Sequence, residues 1–399
     1  MLKGKTVILG VSGSIAAYKI ANLASMLVKQ HCDVHVIMTE NATNFITPIT
    51  FETLTGNRCI TDTFNRNFEF NVAHVSLAKK ADIMLIAPAT ANVIGKLAAG
   101  IADDMLTTTA LSCSLKKLIA PAMNTDMYNN TIVQENIAKL KNCGFTVISP
   151  ASGRLACGDE GAGKMQDEAV LFEYILKEIA KPKDLTGVRL LVTAGPTREA
   201  LDPVRFITNH SSGKMGYAIA KAAMLRGAEV TLVSGKTALA PPLFVNTVNV
   251  CSAKEMFDEV TAAFPNQDII IKSAAVADYR PKYTANEKIK KGSDDSLILE
   301  LERTDDILKH ISRIKKPNQF VCGFSMETEN LIQNSKNKLI KKNLDMIAAN
   351  SLREKGSGFG TDTNRITIIT KEAEIELEQM SKDETAHRLL DEIIKIWKG

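Results

Sequence analysis

Val188-Arg-Leu-Leu-Val-Thr-Ala-Gly-Pro196 is a short apolar run that ends in a glycine turn, and it follows the charged segment Lys181-Pro-Lys-Asp-Leu-Thr-Gly187. A similar run stands near the start of the chain, Gly4-Lys-Thr-Val-Ile-Leu-Gly-Val-Ser-Gly13. In α/β proteins, a buried parallel strand that leads into a Gly/Ser loop and a helix presents backbone N–H groups to a phosphate. Because this pattern begins twice, the sequence predicts two Rossmann-like, doubly wound α/β domains joined at Lys181–Gly187.

Composition and charge favour a protein that acts on small molecules. The 399 residues suffice for two domains of about 150–200 residues each. A net charge of +4 disfavours a nucleic-acid binder. Seven scattered cysteines without a CxxC pair predict reduced thiols in a cytoplasmic protein. The N-terminal apolar run is too short for a secretory signal, and no stretch approaches the roughly 18 apolar residues of a membrane span, so we expect no membrane partner.

Hydroxyl residues follow the first two predicted strands. Ser12, Gly13 and Ser14 form the turn after the strand Thr6–Val11, and Thr39 ends the next strand. Such residues at the carboxyl ends of neighbouring strands favour a mononucleotide phosphate. The full G-x-G-x-x-G fingerprint is missing, and a structural turn without a ligand is the alternative.

Other features of the first half could take part in catalysis. The predicted strand 81–90 leads into a helix over 91–106 whose small residues allow close approach of a flat ring or of another subunit. The Asn124 amide can bind a carboxylate or simply form a turn, and His74 is either a base or a surface residue. The glycine-rich stretch 151–165 predicts a mobile loop that carries Cys157. An exposed thiol with the usual pKa of about 8.5 can donate a proton to a carbanion, or it can be incidental.

Together these segments resemble the flavin-dependent cysteine decarboxylases over residues 3–175. The motifs that carry the resemblance are Gly10-Val-Ser-Gly-Ser-Ile-Ala-Ala-Tyr-Lys19, His74-Val, Ala87-Pro-Ala-Thr-Ala-Asn92, Pro121-Ala-Met-Asn124 and the Cys157 segment. The resemblance implies a flavodoxin-like domain and FMN held between the subunits of a trimer. The implied FMN contacts are Ser12, Gly13, Ser14, Thr39, Ala87, Pro88, Thr90 and Asn92.

The same resemblance implies the catalytic roles. His74 is the implied base, Asn124 clamps the substrate carboxylate, and Cys157 gives a proton to the final intermediate. A cysteine-derived carboxylate has no electron sink for loss of CO₂, and oxidation of its thiol by a flavin creates one. Tyr128 stands where many relatives have tryptophan, which leaves the shape of the substrate pocket open.

The second half carries a polar loop and two lysine runs. Asn209-His-Ser-Ser-Gly-Lys-Met-Gly216 precedes a predicted helix, which favours an anion site or, alternatively, a capped helix start. The small residues 274–277 at the end of a strand admit a base or ribose, and Asp278 suits a ribose hydroxyl, an amine or Mg²⁺. The runs 287–291 and 336–342 are either a solvated face or the site of a triphosphate.

From residue 187 to the end, the chain resembles the phosphopantothenate–cysteine ligases. The motifs include Thr193-Ala-Gly-Pro-Thr197, Asn209–Gly216, Ala274-Ala-Val-Ala-Asp-Tyr-Arg280, Lys288-Ile-Lys-Lys291 and Lys342-Asn-Leu-Asp345. The resemblance implies that CTP activates phosphopantothenate as an acyl-cytidylate, which the cysteine amine attacks. The implied nucleotide site comprises Ser211, Ser212, Gly213, Ala274, Asp278, Lys288, Thr304, Asp305, Asp306, Ile307, Phe324, Lys338 and Lys342.

Within that site, the resemblance makes Asn209 the residue that holds the acyl-cytidylate and Lys288 the one that neutralises charge as it forms. Mg²⁺, with Asp278 as a ligand, is expected because a triphosphate leaving group needs neutralising. Thr304-Asp305 replaces the Asn-Pro often found there, so that contact is less secure. The residues themselves leave ATP open as an alternative to CTP.

These observations lead to one hypothesis, a bifunctional enzyme of coenzyme A biosynthesis. Residues 187–399 form the ligase domain that joins cysteine to 4′-phosphopantothenate, and residues 1–186 form the decarboxylase domain that converts the product to 4′-phosphopantetheine. The implied assembly is a homo-oligomer of N-terminal-domain trimers and C-terminal-domain dimers. The alternatives are a flavin-storage module tethered to a nucleotide sensor, and a decarboxylase or prenyl-transferring enzyme with another substrate.

Overall fold

The structure, a computed structural model, describes residues 2–62, 73–154, 158, 160–290, 297–327, 329–351, 358 and 360–398. For residues 73–76, 327 and 351 the description covers the backbone alone. The chain divides into two compact units, Met1–Pro182 and Lys183–Gly399.

The first unit is built on a five-stranded parallel sheet. Its strands are β1 (Thr6–Val11), β2 (Asp33–Met38), β3 (Ile83–Ala89), β4 (Lys116–Pro121) and β5 (Thr146–Val147). A separate antiparallel pair comprises β6 (Ala151–Arg154) and β7 (Glu160–Lys164). The helices are α1 (Tyr18–Lys29), α2 (Pro48–Thr55), α3 (Ala73–Lys80), α4 (Ala91–Ala99), α5 (Met105–Ser112), α6 (Thr125–Asn129), α7 (Thr131–Asn142) and α8 (Glu168–Ile179).

The strand order of this sheet is β2-β1-β3-β4-β5, and every pairing is parallel. This is the flavodoxin-like order, in which the chain reverses direction across the sheet between β1 and β3. Strands β1 and β3 are buried along their whole length because helices cover both faces. The predicted flavodoxin-like fold is therefore confirmed.

The second unit is built on an eight-stranded sheet. Its strands are β8 (Arg189–Ala194), β11 (Glu229–Ser234), β12 (Asn246–Asn249), β13 (Ile269–Lys272), β16 (Phe320–Glu327), β17 (Met346–Ser351), β19 (Thr367–Ile369) and β20 (Glu374–Glu376). The shorter pairs use β9 (Glu199–Ala200), β10 (Phe206–Ile207), β14 (Tyr279–Pro281), β15 (Leu301–Arg303), β18 (Thr363–Asn364) and β21 (Met380–Ser381). The helices are α9 (Lys214–Leu225), α10 (Ala253–Ala263), α11 (Ile307–Ile314), α12 (Leu331–Lys341) and α13 (Lys382–Lys398).

The order in this sheet is β12-β11-β8-β13-β16-β17-β19-β20, with the first six strands parallel. Those six strands follow the 3-2-1-4-5-6 order of dinucleotide-binding folds, whose switch point lies between β8 and β13. The core includes Leu191, Ile270 and Val321 from three of these strands. The second Rossmann-like fold is thus also confirmed.

Two predictions about local structure in the first unit are wrong. The helix expected over 91–106 ends at Ala99, because Gly100 adopts a left-handed conformation (φ 74°), and a new helix starts after the capping residue Asp104. The loop expected over 151–165 contains the paired strands β6 and β7. Two of its glycines, Gly161 and Gly163, allow the close packing described below.

Candidate active sites

Ser12 links the turns that follow β1 and β3. Its buried hydroxyl donates to the carbonyl oxygen of Pro88 at 2.6 Å and accepts from the N–H of Thr90 at 3.1 Å. The side chain expected to contact FMN directly is therefore already engaged with the protein. Its main effect is to hold together the two sides of the switch point at the carboxyl edge of the sheet.

Gly13 and Ser14, which follow Ser12, form a tight turn before a helix. A Cβ on Gly13 would lie only 2.7 Å from the Cβ of Asn41, so a side chain at this position would collide with the protein. The Ser14 hydroxyl accepts from the N–H of Ala16 at 3.3 Å and caps the 3₁₀ turn that leads into α1. This geometry suits the approach of an anionic group to backbone N–H groups.

The other residues predicted to contact FMN lie at the same edge. Thr39 follows β2, and its N–H donates to the carbonyl of Val11 at 3.0 Å. Ala87 and Pro88 are buried in β3, Thr90 caps α4, and Asn92 is exposed on the first turn of α4. Parallel strands end at one edge, so the topology gathers all of the predicted FMN contacts there, and their glycine and hydroxyl residues fit a flavin phosphate.

Asn124 lies at the edge formed by β4. Its Oδ1 accepts from the N–H of Met127 at 2.8 Å and caps α6. Because Oδ1 is held in this way, the exposed side chain keeps its amide N–H groups to donate to a carboxylate.

The β6–β7 hairpin packs directly on the turn that carries Asn124. The N–H of Met123 donates to the carbonyl of Gly163 at 3.0 Å. A Cβ on Gly163 would lie 2.4 Å from the carbonyl oxygen of Met123, and one on Gly161 would lie 2.6 Å from Oγ1 of Thr125. Only glycine permits this approach, which explains why a glycine-rich segment forms strands here.

Two predicted catalytic residues are described in part or not at all. Cys157 lies outside the described residues, in the segment between β6 and β7. The backbone of His74 lies in the first turn of α3, where the sequence predicted a helix, and its side chain is not described. The structure therefore locates the hairpin on either side of Cys157 but does not test the roles of these two residues.

In the second unit, an open cleft of about 980 Å³ lies at the switch point. The end of β13 is tied to β8 there, because Ser273 Oγ donates to the carbonyl of Thr193 at 2.6 Å. The residues of the predicted nucleotide site that line the cleft are Ser211, Ser212, Gly213, Ala274, Asp278, Thr304, Asp305, Asp306, Ile307, Phe324, Lys338 and Lys342. Lys288 is the one member of that predicted set that does not line it.

Asn209 lies beside the cleft in the loop before α9. Its Nδ2 donates to the carbonyl of Ala275 at 2.7 Å, and its Oδ1 accepts from the N–H of Ser211 at 3.1 Å. Helix α9 packs closely on β8, since a Cβ on Gly216 would lie 2.5 Å from the Cβ of Ala194. These contacts fix the loop between the first strand of the sheet and its first helix.

Charged side chains from α11 and α12 meet across the cleft. Lys342 forms an ion pair with Asp306, which also caps α11 by accepting from the N–H of Lys309 at 2.9 Å. Burial alone would raise the pKa of Asp306, but the Lys342 ammonium and the Lys309 N–H together hold it below the usual range. Lys338 donates to the carbonyl of Phe324 at 2.9 Å.

Lys272 is a cleft residue that the sequence analysis missed. It ends the apolar strand β13, is half-buried, and forms no ion pair or side-chain hydrogen bond with the part of the chain that the structure describes. Burial, together with the charges of Lys338 and Lys342, lowers the pKa of Lys272 from 10.5 to about 8, against the opposing effect of Asp306 and Asp278. A lysine at the carboxyl end of an otherwise apolar strand was the available signal.

The structure does not test the predicted metal ligand. Within the described ranges, no group of three or more His, Cys, Asp or Glu side chains could hold a metal ion. Mg²⁺, however, is usually held by one or two carboxylates and the phosphates of a bound nucleotide. Asp278 and Asp306, which both line the cleft, fit that smaller requirement.

Comparisons with known proteins identify the family. The chain matches the model of the DNA/pantothenate metabolism flavoprotein C-terminal domain over residues 185–396 and the Flavoprotein model over residues 1–180. The coenzyme A biosynthesis bifunctional protein CoaBC of Bacillus subtilis is 45% identical to it, over 100% of this chain and 98% of the relative. The chain belongs to this family. The protein of that name from Vibrio cholerae is also 45% identical, over 98% of each chain.

One solved structure is similar to part of the chain. The crystal structure of the C-terminal domain of a CoaBC protein is 46% identical, covers 54% of this chain and 97% of its own, and has a TM-score of 0.47.

Family membership confirms the predicted function. The chain is a bifunctional enzyme of coenzyme A biosynthesis that combines a phosphopantothenoylcysteine decarboxylase with a phosphopantothenate–cysteine ligase, and it acts on small molecules. The match to the Flavoprotein model supports FMN as its cofactor. The storage-module and alternative-substrate hypotheses do not fit this family. No helix within the described residues is long and apolar enough to cross a membrane.

Proposed function

We propose that residues 187–399 ligate cysteine to 4′-phosphopantothenate and that residues 1–186 decarboxylate the product. The cleft at the β8–β13 switch point carries this proposal, because it brings together nearly all the residues predicted to bind a nucleotide. The division of the structure between Pro182 and Lys183 supports a boundary at this joint.

For ligation, the lysines of the cleft bind the triphosphate of CTP. The substrate carboxylate attacks the α-phosphorus, the new acyl–phosphate C–O–P linkage forms, and pyrophosphate leaves. Lys288 neutralises the charge that develops at this step, and Asn209 holds the acyl-cytidylate through the amide that also contacts Ala275. The cysteine amine then attacks the acyl carbon and displaces CMP. Mg²⁺, with Asp278 as a ligand, neutralises the triphosphate.

For decarboxylation, the residues at the carboxyl edge of β1, β2 and β3 hold FMN. When bound, FMN supplies reversible hydride transfer at the cysteine-derived part of the substrate. The imidazole of His74 removes a proton as the substrate thiol is oxidised. The amide of Asn124 donates to the carboxylate that leaves as CO₂, and the thiol of Cys157 returns a proton to the resulting carbon.

The proposed assembly is a cytoplasmic homo-oligomer of N-terminal-domain trimers and C-terminal-domain dimers. Several large apolar side chains of the first unit are exposed near the FMN edge, including Ile15, Tyr18 and Ile49. In the second unit, Leu297, Ile298 and other apolar residues around β14 and β15 are also exposed. Exposed apolar groups of this kind favour contacts between subunits.

The first experiment uses the purified full-length protein. We expect a flavin absorption spectrum, release of pyrophosphate when CTP, cysteine and phosphopantothenate are all present, and little release with ATP. A colourless protein without CTP-dependent release would refute the proposal. Equal rates with ATP and CTP would refute the choice of nucleotide alone.

A second experiment tests the role of Cys157. The Cys157→Ser variant should bind flavin and release CO₂ but accumulate an oxidised enethiol, because it lacks the proton donor. The matched control is Cys143→Ser, which removes an exposed cysteine on the surface of the first unit. Wild-type yields of 4′-phosphopantetheine from Cys157→Ser would rule out the assigned role.

A further inference from the structure

Lys272 lies in the middle of the eight-stranded sheet, at the base of the cleft. It is the last residue of β13 and stands opposite Thr193 of β8 and Gly323 of β16. The residues before it in the strand, Ile269–Ile271, are buried, whereas Lys272 is half-buried and lines the cleft. The strand thus brings a cationic side chain to the centre of the carboxyl edge, where doubly wound sheets bind their ligands.

Four charged groups interact with Lys272. Lys338 and Lys342 belong to α12, Asp306 precedes α11, and Asp278 lies in the loop after β13. The three lysines outnumber the two carboxylates, and Asp306 is already paired with Lys342. Lys272 itself forms no ion pair with any residue that the structure describes. The base of the cleft therefore carries an excess of positive charge.

The position of Lys272 is unfavourable for the folded chain alone. Burial and the charge of Lys338 are the main reasons why its pKa falls to about 8. A charge that is removed from water costs free energy unless a group of opposite charge compensates it. An apolar side chain at the end of this strand would not have that cost. Departures of this kind are concentrated at functional sites, so we expect an anion to bind here.

The two faces of the sheet separate Lys272 and its charged neighbours from the Asn209 loop. Helix α9, which follows the Asn209 loop, packs against α13. Leu308 of α11 and Leu339 of α12 belong to a core on the sheet that these two helices cover. In a doubly wound sheet, the helices on either side of the switch point cover opposite faces. The Asn209 loop and the group of lysines therefore lie on opposite sides of the carboxyl edge.

The geometry of the ligation step relates these two sides of the cleft. In an in-line displacement, the attacking and leaving oxygens lie on opposite sides of the α-phosphorus. The substrate carboxylate forms the new O–P bond on one side, and the bond to the oxygen that bridges the α- and β-phosphorus breaks on the other. The electron pair of the broken bond stays on pyrophosphate. If Asn209 holds the acyl side, this new charge develops on the side of Lys272, whose ammonium group stabilises it without a proton transfer.

We propose that Lys272 binds the pyrophosphate portion of the nucleotide, both before and after the α–β bond breaks. This inference rests on the proposed ligation with CTP. The base, the ribose and the α-phosphate stay with the acyl group as the cytidylate, so their binding should not depend on Lys272. The residue is therefore expected to favour CTP and pyrophosphate over CMP.

The test measures the affinity of the full-length protein for inorganic pyrophosphate and, separately, for CMP, by calorimetry with Mg²⁺ present. Lys272→Met should weaken the binding of pyrophosphate about tenfold at neutral pH, because a contact between charged groups is lost. The binding of CMP should stay nearly unchanged. Equal weakening of both ligands, or unchanged binding of pyrophosphate, would overturn the inference.

A second substitution keeps the charge at this position. Lys272→Arg should bind pyrophosphate much more tightly than Lys272→Met, because the guanidinium is also a cationic donor. Equally weak binding by the two variants would show that the positive charge is not what pyrophosphate contacts, and would overturn the inference. The thermal unfolding of each variant reports whether the fold is intact.

The matched control is Lys236→Met, which removes the same charge at the same edge of the sheet. Lys236 follows β11, is exposed and does not line the cleft. This variant should bind pyrophosphate and CMP as the wild type does. A loss of pyrophosphate affinity as large as that of Lys272→Met would indicate a general effect of charge rather than a contact, and would count against the inference.

Ligation by the same preparations separates this inference from the proposed function. If the wild type ligates with CTP and Lys272→Met keeps its affinity for pyrophosphate, the inference is wrong and the ligase proposal stands. If the wild type binds pyrophosphate through Lys272 but releases none from CTP, the proposed reaction is wrong and the anion site stands.

Discussion

Replacing Gly163 by alanine is expected to impair decarboxylation and to leave ligation unchanged. Gly163 has a φ of +129°, and its new Cβ would lie 2.4 Å from the carbonyl oxygen of Met123 and 3.3 Å from that of Asn124. To restore an ordinary contact of 3.4 Å, the hairpin and the Asn124 turn would have to separate by about 1 Å. The hairpin strands flank Cys157 in the sequence, and separating them from the Asn124 turn would disturb the proposed decarboxylase site.

The size of the effect follows from this displacement. A shift of about 1 Å between catalytic groups can lower a rate about 100-fold. Loss of the hydrogen bond from Met123 to Gly163 adds about 0.5–1.5 kcal/mol of destabilisation. We therefore expect kcat/KM for CO₂ release to fall roughly 100-fold. The flavin content should be retained, because the predicted FMN contacts lie on other loops.

The matched control is Gly153→Ala in the same hairpin. Gly153 also has a positive φ, +143°, but a Cβ there would have no neighbour within 4 Å. It therefore shares the backbone strain, about 1–3 kcal/mol, without the collision. CO₂ release and pyrophosphate release are measured on the same preparations, so the ligase domain reports the amount of folded enzyme. Equal losses of decarboxylation in the two variants, or none in Gly163→Ala, would refute the close-packing argument.

Two further predictions concern residues that the sequence analysis missed or interpreted differently. The pKa of Lys272 is about 8, so its ammonium group becomes neutral as the pH rises through 8, and the KM for CTP should then increase. The Lys272→Met variant should have a KM for CTP about tenfold higher at pH 7, and this KM should no longer depend on pH in that range. Between pH 8 and 10.5 the unfolded chain binds more protons than the folded chain, so the charged form of Lys272 destabilises the fold at pH 7. Lys272→Met should therefore raise the melting temperature at pH 7. A lower melting temperature would contradict the conclusion that burial of Lys272 lowers its pKa. Ser12→Ala should destabilise the first unit by ~1–3 kcal/mol, because the part-buried N–H of Thr90 loses its acceptor and the buried carbonyl of Pro88 loses its donor. Unfolding in urea measures this effect, and an unchanged midpoint would show that the hydroxyl is dispensable.

The sequence was most informative where the pattern is local. The apolar runs that became β1, β3 and β13 were recognisable because a strand buried on both faces excludes polar side chains. The motif resemblance then supplied what the local pattern could not, namely the flavodoxin-like fold of the first unit and the residues of the nucleotide site.

The errors and omissions arose where distant segments meet. The hairpin glycines looked like a loop because the Met123 carbonyl that requires Gly163 lies 40 residues away in the chain. The contact between Asp202 and Ile289 spans 87 residues, and nothing in either segment indicates the other. The helix over 91–106 was drawn too long because Gly100 was read as an interior residue rather than as a left-handed cap.

The ion pair between Lys342 and Asp306 has a consequence for which anions the cleft accepts. An anion that binds Lys342 must compete with a carboxylate that is already in contact and cannot diffuse away. A single small anion contacts few lysines, so its binding energy does not outweigh that competition. A triphosphate reaches several lysines at once, so each contact raises the effective concentration for the next. The cleft is therefore expected to bind anions with several charged groups in preference to small anions. Inorganic phosphate or chloride should inhibit ligation only weakly, although the cleft contains several lysines.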